Sequence, residues 1–91
     1  YLFYFVESLI QSGKEIGLTD ELSYNLTTKM LKGSLELLES ATEQAEQLRK
    51  NVTSPGGTTE AAITVFDQQN LKKTIITAIK AAHKRGLELG E

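Results

Sequence analysis

The 91 residues carry a formal charge of −2, with 40% apolar and 24% charged side chains and no cysteine, which describes at most one soluble domain with a modest core. Without a basic excess there is no footprint for nucleic acid, which needs Lys and Arg clustered on one face. The lack of cysteine excludes disulfides and thiolate metal sites and makes a cytoplasmic setting the default expectation.

The chain opens on YLFYFV, an apolar run with no initiating Met and no charge before Glu7. It is too short for a membrane span, which needs roughly 20 apolar residues, and it lacks the basic leader of a secretory signal. No membrane partner is expected. The abrupt start reads as a cut through a longer polypeptide, with a processed short protein as the alternative. Leu2, Phe5, Val6, Leu9 and Ile10 share one helical face, Phe3 adds a second, and the helix should end near Gly17. Thr19 followed by Asp20 and Glu21 is a helix-start signal, because the hydroxyl accepts from an orphan amide and the acids suit the positive end of the helix dipole. The long helix that follows has two apolar stripes, one through Leu22, Leu26, Met30, Gly33 and Leu37 and another through Leu31, Leu35 and Leu38. Two stripes imply contact on two sides.

Ser40 and Glu43 have capping-box spacing, so a break near Ser40 and a short helix through Gln47 and Leu48 are expected. Beyond VTSPGGTT, Ala61, Ala62, Val65 and Phe66 give another helical face with Ile63 offset, and the polar run Asp67 to Asn70 supplies the next turn. Leu71, Ile75, Ile79 and Ala82 define the last helix. No segment keeps a period of two, and neither a repeat nor an internal linker occurs. The expected fold is all-α, about five helices forming one domain over residues 1–91, with two-sided helices suited to contact with a second chain. A compact monomeric bundle would also have two-sided helices.

VTSPGGTT admits three uses: a connector, a turn with Thr58 as helix cap, or an anion cradle. Pro55 stops the preceding helix. Gly56 and Gly57 allow backbone shapes and close approaches that a side chain blocks. The amides opening the next helix and the hydroxyls of Ser54, Thr58 and Thr59 can converge on one spot. No Lys or Arg stands in the loop, so a singly charged carboxylate suits it better than a polyphosphate.

VTSPGGTT, with Ala45 and Leu48 before it and AAITVF after it, resembles the signature region of pyrroline-5-carboxylate reductase. The opening YLFYFVESLIQSGKEIGLTDELSYNL and the tail AAHKRGLELG resemble the helices of that family's C-terminal dimerisation domain. The family's Rossmann domain, with its G-x-G-x-x-G turn, has no counterpart in this chain. The resemblance implies reduction of the C=N bond of 1-pyrroline-5-carboxylate by NADPH or NADH to give L-proline, in a homodimer whose helices interleave between the two chains and which can assemble further. It implies that the Ser54 hydroxyl and the backbone amides of Gly57 and Thr58 hold the substrate carboxylate. Thr59 would face the ring nitrogen as the catalytic side chain, and Pro55 and Gly56 would set the loop's shape. Thr58 stands where the family also accepts a smaller residue, which a backbone contact tolerates. No cofactor is expected on this chain by itself, and no metal, since the single histidine, His83, suits packing or surface. The competing class is a non-catalytic helical interaction module in which VTSPGGTT is only a rigid corner.

Overall fold

A computed structural model describes residues 1–90. Its five helices are α1 (Leu2–Glu15), α2 (Asp20–Ser40), α3 (Ala45–Asn51), α4 (Thr58–Gln68) and α5 (Leu71–Glu88). The β-branched runs ITVF and TIIT lie inside α4 and α5, because each belongs to a longer helical pattern. The helices group into two compact units, Tyr1–Ala45 and the residues from Glu46 onward.

In the first unit α1 packs on α2. α1 stops where Gly17, at φ 106°, takes a left-handed turn, with the Leu18 N–H donating to Gly13 O (3.0 Å) and the Gly17 N–H to Lys14 O (3.1 Å). This double closure satisfies carbonyls that the helix end leaves open. Thr19 caps α2 as expected, accepting from the Leu22 N–H at 3.1 Å. The helix pair crosses on small residues. Ser23 is 1% exposed and Thr27 8%, and the Ser23 hydroxyl donates to Ile10 O at 2.6 Å. A Cβ placed on Gly13 would sit 2.1 Å from Ser23 Oγ. Hence α2 meets α1 along a Ser/Thr edge, while the outer leucines stay at the surface: Leu22, Leu26, Met30, Leu35, Leu37 and Leu38 are all exposed.

The break after α2 falls where expected, but the capping box does not form. Ser40 is the last residue of α2, and its hydroxyl turns back to Leu37 O (3.3 Å). Glu43 instead receives the Thr42 hydroxyl at 3.2 Å. A serine can serve either end of a helix, and here the Leu35–Leu38 turn carries the helix past the point where Ser40 would start a new one.

In the second unit α4 packs on α5 through a two-residue connection, Gln69 and Asn70, with Asn70 in the left-handed region at φ 58°. Asparagine tolerates that conformation better than other non-glycine residues. Ile63, offset from the main apolar face, is half-buried, whereas Val65 and Phe66 remain exposed.

Among the described residues no apolar side chain is buried. The chain exposes 7786 Å², while even two separate folded bodies of half its mass would expose only about 6,300 Å² together. These helices form with their apolar faces uncovered.

Candidate functional site

The loop between α3 and α4 is built by three local decisions. After Asn51 the chain unwinds through Val52 and Thr53, whose N–H groups donate to Arg49 O (3.3 Å) and Lys50 O (3.2 Å). The Thr53 hydroxyl closes on Arg49 O at 2.5 Å. Pro55 and Gly56 then turn the chain, Gly56 at φ 73°, a region that costs a side-chain-bearing residue roughly 1–2 kcal/mol. Finally Gly57, extended at φ −87° and ψ 178°, caps α4, and Thr58 is the first helical residue. The cap is therefore Gly57, not Thr58. The reason is the turn itself, which brings the Gly57 N–H onto Ser54 O at 3.0 Å and leaves Gly57 just outside the helix.

This geometry separates the loop's donors into two groups. The Gly56 N–H donates to Glu60 Oε1 at 3.0 Å, and the Gly57 N–H closes the turn. The amide of Gly57, expected to hold a carboxylate, is thus engaged by the protein's own carbonyl. The approach is close, because a Cβ on Gly57 would lie 3.1 Å from Ser54 O and 3.5 Å from Ser54 Cβ. By contrast, among the described residues nothing accepts from the amides of Thr58, Thr59 or Glu60, and the first helical bond of α4 is the Ala61 N–H to Gly57 O at 3.2 Å. Three orphan amides point out of the helix start, as helix geometry requires. Ser54 and Thr58 are exposed and Thr59 half-buried. Their hydroxyls take no protein partner among the described residues, so they are available to a ligand.

Other candidates are less organised. His83 lies exposed on α5, and no group of acidic or histidine side chains among the described residues could hold a metal. A furrow runs along α1, lined by Tyr4, Glu7, Ser8, Gln11, Ser12 and Glu15. A single helix supplies all of these, and none belongs to the loop. Glu46 on α3 has its carboxyl held below the usual range by a hydrogen bond from Lys50, 3.2 Å away, and by the charges of Lys50 and Arg49. That pair is exposed and structural in kind. The described residues do not suit a nicotinamide dinucleotide: they include no strand, and the only Gly-Gly turn places the Glu60 carboxylate where a pyrophosphate would need its donors. No helix among them is long and apolar enough to cross a membrane. The Glu60 bond was not foreseen from sequence, although a glutamate at the third helical position is a known signal for back-bonding to the helix start.

The described residues are thus all-helical, with uncovered apolar faces and a short, uncharged set of donors at one helix start. Residues 1–89 match the family model described as pyrroline-5-carboxylate reductase dimerisation, and the chain belongs to that family. The whole chain is 34% identical to part of the pyrroline-5-carboxylate reductase of Synechocystis sp. and 32% identical to part of pyrroline-5-carboxylate reductase 2 of Bacillus subtilis, covering 34% and 33% of their lengths. It superimposes on the crystal structure of Plasmodium falciparum pyrroline carboxylate reductase with NADP bound, with a TM-score of 0.96 at 35% identity, covering all of this chain and 37% of that one. The Coxiella burnetii pyrroline-5-carboxylate reductase gives 0.92 at 39% identity, over 98% of this chain and 33% of that one. The chain thus spans about a third of the length of the relatives it matches.

Proposed function

We propose that this chain is the dimerisation and substrate-binding domain of a cytoplasmic reductase that converts 1-pyrroline-5-carboxylate to L-proline, and that its two units act as one domain. The observation that carries the reading is the open start of α4: unpaired amides at Thr58 and Thr59 beside the free hydroxyls of Ser54 and Thr59, in a chain whose relatives are named for that reaction. The Ser54 O–H and the Thr58 N–H bind the substrate carboxylate, and the dipole of α4 favours its charge. Gly57 contributes its lack of a side chain, which lets Ser54 O close the turn. The Thr59 hydroxyl accepts from the protonated ring nitrogen and fixes the ring's orientation. The hydride for the imine carbon would come from NADPH or NADH, which the described residues do not hold. Orientation is what this chain contributes, holding the ring by both ends.

The uncovered apolar faces support a homodimer that can assemble further. The chain exposes about 1,500 Å² more than separate folded bodies would, and two copies burying that area would form an interface of about 3,000 Å², within the obligate range. In the intact reductase, Ser54→Ala should raise KM roughly tenfold or more, the size of a lost hydrogen bond to a charged group. Thr59→Ala should lower kcat by a similar factor, and neither should change the melting temperature appreciably. If both variants keep wild-type kcat/KM, the loop is only a corner and the non-catalytic alternative stands.

A further inference from the structure

The Glu60 side chain reaches back four residues to take the Gly56 N–H at 3.0 Å. Gly56 is the loop residue held at φ 73°, and its amide has no other partner among the described residues. One residue later the Gly57 N–H closes on Ser54 O, and beyond it the Thr58 and Thr59 amides face outward. The orientation of the Gly56 peptide therefore fixes the direction in which α4 leaves the turn, and among the described residues Glu60 is the only side chain that holds that peptide. Glu60 is also the only acid in the first turn of α4, no Lys or Arg lies within ion-pair distance of it among the described residues, and the loop has no cation.

Building on the carboxylate reading above, we infer that Glu60 is a positioning and specificity-determining residue of that site. Its oxygen locks Gly56 so that the open amides meet one carboxylate. Its unneutralised charge disfavours ligands that bring a second negative charge and tolerates those, such as a ring iminium acid, that carry a cation beside the carboxylate. The two roles separate chemically, because glutamine keeps the accepting oxygen and loses the charge.

The test is steady-state kinetics of the intact reductase. Glu60→Ala should raise KM roughly fivefold, the usual cost of a lost helix-start bond, with kcat held. Glu60→Gln should restore KM to within about twofold of wild type. In Glu60→Gln, inhibition by 1,3-cyclopentanedicarboxylate should strengthen relative to cyclopentanecarboxylate by roughly three- to tenfold, the scale of one nearby charge in a partly wet site. An unchanged KM in Glu60→Ala, alongside a raised KM in Ser54→Ala, would overturn the positioning role. An unchanged inhibitor ratio in Glu60→Gln would overturn the charge role. A wild-type KM in Ser54→Ala is a different failure: it removes the carboxylate site itself, and this inference with it.

Discussion

The α1–α2 hairpin and the α3–α4 loop use the same residue types, glycine with a neighbouring serine, to opposite ends. In the hairpin, Gly13 lets Ser23 in so closely that no Cβ would fit, and the Ser23 hydroxyl is fully taken by Ile10 O. In the loop, Gly57 lets Ser54 O close a turn, and the Ser54 hydroxyl is left with no protein partner. The difference lies in whether the polar groups are satisfied inside the chain. A buried hydroxyl must find a protein acceptor, whereas an exposed helix start can leave its donors for water or a ligand. Small polar residues therefore mark close packing in one unit and open donors in the other, and only the accounting of donors and acceptors tells them apart.

The comparison breaks most severely through the faces that neither region covers. Leu26 and Met30 flank Ser23 and Thr27 on α2, at i+3 and i+7 from Ser23, and each is about half exposed. The double variant Leu26→Asp, Met30→Asp should dissociate the dimer, since two charges would lose water with no partner, at a cost of several kcal/mol. Sedimentation showing an intact dimer would remove the interface from α2. A pair of glycine substitutions gives a smaller effect but sharpens the contrast directly. Gly13→Val drives side-chain carbons into Ser23 and should lower stability by about 2–3 kcal/mol, while leaving the KM of the surviving folded enzyme unchanged. Gly56→Ala meets open space but must hold φ 73°, so it should cost about 1–2 kcal/mol and raise KM as well. Equal kinetic effects from the two would mean that the regions are not functionally distinct.

The smallest expected effect is on α3. The Glu46 carboxyl is held below its ordinary value by Lys50, so the pair's contribution is fully present above the ordinary carboxylate range and fades as pH falls through the lowered value. Because the pair is exposed, solvent and salt screen it. Melting curves of wild type and Glu46→Gln should differ slightly at neutral pH and coincide in strong acid. A gap that widens on acidification would contradict the sign.

Chain-local signals were legible in the sequence. Gly17 and Thr19 mark the α1–α2 turn, and Pro55 with Gly56 marks the loop, because the chemistry that ends or starts a helix lies within a few residues. The inner edge of α2 was not legible. Counting apolar residues at helical spacing finds the leucine stripes and passes over Ser23 and Thr27; Ser23 packs in because Gly13 stands opposite, ten residues earlier. The Ser40–Glu43 capping box failed for a related reason: the same hydroxyl can bond backwards once the helix already extends to it. At the candidate site, the pattern located the loop and its orphan amides. It could not foresee that the turn would consume the Gly57 amide, since the Pro-Gly-Gly string fits several turn types that engage different donors.

The absence of any buried apolar side chain among residues 1–90 also bears on how the molecule comes into being. If its core is completed only when copies meet, folding is a second-order event, and a polypeptide that has not yet found a mate is greasy and vulnerable. Two alleles made in one cell would then mix at random, so a copy with unsound helices would leave its mate's apolar faces uncovered.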